Sequence, residues 1–200
     1  MAPTFSGKPS IRGEKEVGVS VLGVAGSPRR GGNTETILDE VLRGAREAGA
    51  STEKVVLAEA DIRPCRACNA CSRTGSCIIN DDMAATKEKM EAARVWILAT
   101  PVYWWGPTAQ MKAFIDRWFG VPRETFRGKR VILVVSSGGG ISYAELTIKM
   151  IGEIIPYLGM ENYRTLQASG ANSKTSVKGN SKLLKEAWTA GFNSVKTLAI

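Results

Sequence analysis

All four cysteines of the 200-residue chain fall within thirteen consecutive positions. They are Cys65, Cys68, Cys71 and Cys77, in the spacing C-x2-C-x2-C-x5-C. Thiolates that stand three positions apart in a tight loop can converge on one centre, as they do in the cysteine runs that hold iron–sulfur clusters. The spacing therefore predicts a four-iron, four-sulfur cluster with these cysteines as its ligands.

Other uses of the four thiols stay open on sequence grounds. Structural zinc sites usually consist of two C-x2-4-C pairs separated by a longer spacer, which this window lacks. Disulfides are disfavoured because cysteines three apart close strained loops and because the chain shows no secretory signal. A zinc site and ordinary reduced thiols remain as alternatives to the cluster.

The composition limits the classes of partner. The chain carries 27 basic and 19 acidic residues, for a formal net charge of +8, and contains no histidine. The basic residues are dispersed, so we expect solvated surface charge and no nucleic-acid partner, although an acidic electron donor such as a ferredoxin suits this charge. Without histidine, a redox cofactor that carries the reaction itself is favoured.

No apolar run is long enough to span a membrane and the opening residues lack the apolar region of a signal peptide, so we expect a cytoplasmic protein. We expect residues 1–16 to form a mobile or interface arm. Residues 17–200 are predicted to form a single domain.

Apolar strand segments alternate with helical segments along this domain, which predicts an α/β fold with a parallel sheet covered by helices on both faces. The cysteine loop, residues 62–81, falls between the second strand and the second helix. The strands are predicted at 17–25, 53–58, 94–100, 130–135 and 160–168, and the helices at 35–48, 82–93, 109–119, 143–157 and 181–198.

The loop 26–34 follows the first strand and has the residues of a phosphate site. Its glycines permit close backbone approach, Ser27, Asn33 and Thr34 offer side-chain donors, and the next helix presents unpaired N–H groups. Either Arg29 or Arg30 can add positive charge. A glycine-rich turn without a ligand is the alternative interpretation.

Two further loops follow strands at the same expected edge of the sheet, where parallel sheets bind their ligands. In residues 101–108, Tyr103 and the two tryptophans after it can pack against a flat ring, and backbone N–H groups near Val102 and Tyr103 can bond its heteroatoms. Buried packing or a subunit interface is the alternative use of these aromatic residues. Residues 138–140 are glycines that allow close approach. Together the three loops predict a flavin mononucleotide (FMN) site.

The segments Gly26-Ser-Pro-Arg-Arg-Gly-Gly-Asn-Thr34 and Pro101-Val-Tyr-Trp-Trp-Gly-Pro-Thr108, continued to Arg117, resemble the NAD(P)H-dependent FMN reductase branch of the flavodoxin-like proteins. The cysteine spacing further resembles the iron–sulfur flavoprotein subgroup of that branch. This resemblance implies a doubly wound, five-stranded parallel sheet in the order 2-1-3-4-5, with FMN and a 4Fe-4S cluster as cofactors. It also implies a homodimer or homotetramer.

The resemblance assigns roles residue by residue. It implies that four residues contact the phosphate, that four contact the isoalloxazine ring and that three contact the flavin from the glycine loop. It also implies that the four cysteines are the cluster ligands. The implied FMN contacts are Ser27, Arg29, Asn33 and Thr34, then Pro101, Val102, Tyr103 and Trp104, then Ser137, Gly138 and Gly139.

The leading hypothesis is an electron-transfer flavoprotein that passes electrons between the cluster and FMN and reduces a small acceptor such as a quinone, oxygen or peroxide. One alternative is an NAD(P)H-dependent FMN or quinone reductase without a cluster. Another, from a different class, is a zinc-binding module that is not an enzyme.

Overall fold

The computed structural model describes residues 19–198, so the predicted arm at 1–16 lies outside the described residues. The five predicted strands form one parallel sheet in the order β2-β1-β3-β4-β5, which confirms the predicted topology. The strands are β1 (Ser20–Ala25), β2 (Ser51–Val56), β3 (Val95–Pro101), β4 (Arg130–Ser136) and β5 (Glu161–Ala168).

Helices cover both faces of the sheet, and each face has its own apolar core. Side chains of α1 and α6 pack on one face, and side chains of α3, α4 and α5 pack on the other. No helix within residues 19–198 is both long and apolar enough to cross a membrane. The helices are α1 (Asn33–Glu47), α2 (Ala70–Thr74), α3 (Met83–Ala92), α4 (Ala109–Asp116), α5 (Glu145–Tyr157) and α6 (Ser181–Lys196).

Several element boundaries differ from the sequence prediction, and three of the differences concern β2, α4 and the cysteine loop. Strand β2 begins and ends two residues earlier than predicted, because its register is set by pairing with β1 from Ser51 onward rather than by its short apolar run. Helix α4 ends at Asp116, and the predicted remainder tightens into a 3-10 turn over Arg117–Gly120. Helix α2 lies inside the cysteine loop, where no helix is predicted, and ends at Gly75 with a φ of 75°.

The start of α4 is fixed to the loop after β1. The Thr108 hydroxyl donates to the carbonyl of Gly26 at 2.6 Å and accepts from the N–H of Met111 at 3.2 Å. Thr108 therefore caps α4. The Thr108 side chain thus connects the loop after β1 with the loop after β3.

Candidate functional site

The first turn of α1 has unpaired backbone donors that face the carboxyl edge of the sheet. Gly32 occupies the N-cap position and supplies no side-chain cap. The N–H groups at the start of a helix have no intrahelical partner, and the helix dipole places partial positive charge there. The turn that begins at Asn33 therefore suits a phosphate group.

A buried carboxylate holds this loop in shape. Glu35 accepts a hydrogen bond from the N–H of Gly31 at 2.7 Å and pairs with Lys54 at 2.9 Å and Arg30 at 3.1 Å. Burial raises the pKa of Glu35, but the bonds from Lys54 and Gly31 outweigh it, so the net pKa is lowered. The carboxylate is therefore ionised at neutral pH and neutralised by the cations around it.

This network decides between the two arginines of the loop. Arg30 also pairs with Glu59 at 3.1 Å, so its guanidinium is committed to two carboxylates. Arg29 lines the edge cavity and takes part in none of the ion pairs found within residues 19–198. Arg29 is the arginine available to a phosphate.

The predicted polar side chains of this loop have different partners. The Asn33 amide donates to the carbonyls of Ala171 and Ser173, at 3.2 and 2.6 Å, and its oxygen accepts from the N–H of Val177. The side chain of Asn33 thus holds the loop after β5 in place, and its backbone N–H remains for a ligand. The Ser27 hydroxyl accepts from the N–H of Arg29 at 3.1 Å, which leaves its hydrogen free to donate.

The three loops meet around a cavity of about 250 Å³ at the carboxyl edge, as predicted. Gly139 does not line it, and a Cβ at that position would lie 2.6 Å from the Tyr143 ring. The loop after β5 also contributes, which sequence reasoning missed although strand order 2-1-3-4-5 places that loop at this edge. The lining residues are Ser27, Arg29, Gly32, Asn33, Thr34, Pro101, Val102, Tyr103, Ser136, Ser137, Gly138, Ala171, Asn172 and Lys174.

The aromatic loop turns sharply at two tryptophans. Trp104 and Trp105 have φ values of 52° and 61°, and a bridge joins Tyr103 to Gly106. Bulky residues rarely adopt positive φ, and such strain is concentrated at functional sites. The N–H groups of Val102 and Tyr103 themselves donate to the carbonyls of Ser136 and Gly106, both at 2.8 Å, so a ring bound near these residues would take its bonds from other N–H groups of the loop.

The turn opens a second cavity of about 210 Å³ that adjoins the first through shared residues. Trp105 stacks on Tyr143 with ring centroids 6.0 Å apart and planes 16° apart, and Thr147 holds the Trp105 carbonyl at 2.9 Å. Trp104 lines the cavity and is 92% exposed. An aromatic ring system can therefore lie between the first cavity and these side chains.

The four cysteines are free thiols that line one small cavity with Arg117, Phe119 and Gly120. A Cβ added at Gly120 would lie 3.3 Å from the Cys77 Cβ, so a side chain at that position would crowd the loop. Within residues 19–198 no group of three or more cysteine, histidine or acidic side chains is gathered closely enough to hold a metal.

The donor set nevertheless fits a cluster. The four cysteine thiols are the metal-binding side chains in the lining of this cavity. Thiols are the ligands that iron–sulfur clusters use. Because the thiols are not gathered closely enough to hold a metal, binding a cluster would require the loop to rearrange. Cys65 and Cys68 are exposed, and this movement would not disturb the core.

The thiol cavity is separate from the cavity at the FMN edge. The thiol cavity lies against the residues that follow α4, a helix of eight residues that begins at that edge and extends for about 12 Å. The two cavities share no lining residue.

Beside the thiols lies a buried ion pair. Arg117 donates to both carboxylate oxygens of Asp81, at 2.5 and 3.1 Å, and to the carbonyl of Arg63 at 2.8 Å. The side chains of Arg117 and Asp81 are 1% and 0% exposed. Burial lowers the pKa of Arg117, but the hydrogen bonds it donates to Asp81, the charge of that carboxylate and the nearby Cys77 sulfur outweigh burial and raise the pKa.

Comparison with known proteins places this geometry in a family. The profile of the NADPH-dependent FMN reductases matches residues 19–174. An iron–sulfur flavoprotein of Methanosarcina thermophila is 38% identical over 144 residues, which are 71% of this chain and 75% of that protein. An iron–sulfur flavoprotein of Methanocaldococcus jannaschii is 41% identical over 99 residues, 50% of this chain and 51% of that protein.

The fold is shared with solved structures at lower identity. The NAD(P)H:quinone oxidoreductase from Methanothermobacter marburgensis superposes with a TM-score of 0.69 at 20% identity, over 88% of this chain and 98% of that one. The chain belongs to the NADPH-dependent FMN reductase family and is an FMN-dependent oxidoreductase. Within this family it is a member of the iron–sulfur flavoprotein subgroup.

Replacing Glu35 by Gln tests the network beneath the phosphate loop. The substitution keeps the shape and removes the charge that orders Arg30 and Lys54. We expect the Kd for FMN to rise about tenfold, which is about 1.4 kcal/mol, measured by quenching of flavin fluorescence. The control is Glu40→Gln on the same helix, which loses only an exposed pair with Arg43. Equal Kd values for the two variants would contradict the assignment.

Replacing Asp81 by Asn tests the buried pair. Because the uncompensated Arg117 charge stays buried, we expect the free energy of unfolding at pH 7 to fall by about 3 to 5 kcal/mol in urea denaturation. Burial raises the Asp81 pKa, but bonds from Arg117 and two backbone N–H groups lower it below 3.8. Its contribution is thus present above pH 3.8 and is lost as the pH falls below that value, so the gap between wild type and variant should narrow in acid. A constant gap down to low pH would refute this assignment.

Proposed function

We propose that this protein is a cytoplasmic electron-transfer flavoprotein that passes electrons between a 4Fe-4S cluster, held by Cys65, Cys68, Cys71 and Cys77, and FMN at the sheet edge. The electrons then reduce a small acceptor such as a quinone, oxygen or peroxide. The observation that carries the proposal is that all four cysteines line one cavity in a chain whose edge cavity has the form of an FMN site.

FMN would lie with its phosphate on the first turn of α1, near Ser27, Arg29 and the backbone of Asn33 and Thr34. The isoalloxazine ring would extend along the loop from Pro101 to Trp104 and the backbone of Ser137 and Gly138. The continuous lining of the two adjoining cavities supports this placement. Flavin supplies one- or two-electron chemistry when bound, and the chain's residues orient it and exclude water.

The cluster half of the proposal is supported by the donor set, by the small residue at Gly120 and by the similarity to proteins named iron–sulfur flavoproteins. A cluster transfers electrons one at a time, whereas a flavin can store two. The pair would let a one-electron donor serve a two-electron acceptor.

We propose an acidic, ferredoxin-like protein as the electron donor. Arg66 and Arg73 are exposed beside the thiols, and the whole chain carries a net charge of +8. Complementary charge accelerates association between such partners and makes it sensitive to salt.

We also propose that the chain acts as a homodimer or homotetramer, in which a second copy completes the electron-transfer route between the two cavities. Trp104 at the FMN edge is 92% exposed and Phe119 at the thiol cavity is 68% exposed. Large exposed aromatic side chains of this kind are enriched in subunit interfaces.

The second candidate function is an NAD(P)H-dependent FMN or quinone reductase without a cluster, favoured by the family description and by the open cavity beside Trp105. Membership in an FMN-dependent enzyme family sets aside the non-enzymatic zinc module. Fast flavin reduction by NAD(P)H alone, unchanged by cysteine-to-serine substitution, would select this second function.

Anaerobic purification tests the cluster. We expect about four iron and four acid-labile sulfide per FMN in the wild type, and Cys77→Ser should lower both while FMN remains bound at the separate edge cavity. The control is Ser76→Ala in the same loop, which removes no thiol. A metal-free protein that keeps its flavin and its full electron transfer would refute the cluster.

Replacing Trp104 by Ala tests the proposed assembly. Because the substitution removes a large exposed ring, we expect it to shift the oligomer toward monomer by at least about tenfold in dissociation constant, or about 1.4 kcal/mol, measured by sedimentation velocity. Tyr157→Ala is the control, since Tyr157 is also strongly exposed but lies at the end of α5. An unchanged sedimentation profile would place the interface elsewhere.

A further inference from the structure

One donor beside the thiols is buried without a partner. Within residues 19–198, the Nε of Arg117 and the Nε1 of Trp118 are the buried side-chain nitrogens that make no hydrogen bond. An unsatisfied buried donor is costly, and native proteins rarely retain one without a use. Arg117 also lines the cavity formed by the four cysteines.

The remaining donors of Arg117 are held firmly. Its two terminal nitrogens bond the Asp81 carboxylate, and one of them also bonds the Arg63 carbonyl. Asp81 is itself fixed by the N–H groups of Arg63 and Met83, at 3.0 and 3.2 Å. The guanidinium is planar and both of its terminal nitrogens are hydrogen-bonded, so the group cannot rotate. The direction of the Nε–H bond is therefore fixed as well.

The other arginines of this region are poorly placed to act on the sulfurs. The Arg63 side chain is 53% exposed and lies beside Asp61, and Arg66 and Arg73 are also exposed. Water and salt screen exposed charges strongly, whereas a buried charge acts through a medium of low dielectric constant. The buried charge next to Cys77 therefore has the largest effect per unit charge.

We propose that Arg117, oriented by Asp81, is a positioning residue that offers its Nε–H and positive charge to the Cys77 sulfur and thereby raises the reduction potential of the cluster. This inference rests on the proposed function. Reduction adds one electron from the ferredoxin-like donor and no proton, so the cluster gains one negative charge. A fixed cation beside a ligand sulfur stabilises that reduced form.

The test replaces each member of the pair and then both. Arg117→Gln leaves the Asp81 charge near the cluster, so its midpoint potential should fall, whereas Asp81→Asn leaves an unopposed cation, so the potential should rise. We expect each reduction equilibrium to change by at least about tenfold, which is about 59 mV for a one-electron couple. A purely structural role would not give shifts of opposite sign.

The double variant Arg117→Gln with Asp81→Asn keeps the test decisive if a single variant fails to fold, because replacing a whole buried pair is tolerated better than breaking it. Its potential should fall below that of the wild type, since the charge it loses nearest to the sulfur is the positive one. Arg66→Gln, an exposed position in the same cavity, is the control and should change little.

Each protein is loaded anaerobically with ferrous iron and sulfide, and the potentials are read by spectroelectrochemistry with electron paramagnetic resonance of the reduced cluster. The FMN potential serves as an internal standard, because the FMN cavity shares no lining residue with the thiol cavity. A loaded double variant with an unchanged cluster potential overturns the role of Arg117 alone. A wild type that takes up no cluster overturns both this inference and the proposed function.

Discussion

Parallel pairing of the strands is the constraint on which the FMN site depends. The ladder aligns Pro101 with Ser136 and Ser136 with Ala168, so β3, β4 and β5 end together. Each following loop therefore starts at the same edge as the loop after β1. Residues separated by more than a hundred positions, such as Thr34 and Ser136, then lie within 2.7 Å of one another. No local sequence preference could bring these side chains together without the register of the sheet.

The two candidate cofactor sites are built on the same electrostatic plan. Under the phosphate loop, the buried Glu35 is neutralised by Lys54 and Arg30; beside the thiols, the buried Asp81 is neutralised by Arg117. In both sites a carboxylate orders cations and backbone donors next to the position where a negatively charged group, the FMN phosphate or the cluster, would bind. Such pairs contribute little net stability compared with apolar packing, so their value lies in holding donors in fixed directions.

The sequence predicts much of this because several of its signals are local. Apolar runs locate the strands, and the residues after each strand identify the loops, so the fold and most of the edge cavity follow. The uses of particular donors could not be predicted. Nothing local indicates that Asn33 would bond to Ala171, or that the Val102 N–H would be taken by Ser136. The partner of Arg117 was equally hidden, because Asp81 lies 36 positions away.

The position of helix α4 also affects how the residues of the two candidate cofactor sites can vary. It begins at Thr108, fixed to the loop after β1, and the chain after it forms part of the thiol cavity. The two cavities on either side of this helix therefore have separate linings. Substitutions in the cysteine loop can therefore alter the thiol cavity while the FMN-edge cavity keeps its lining. Such a scaffold can gain or lose a metal site over evolutionary time without rebuilding the pocket that its family shares.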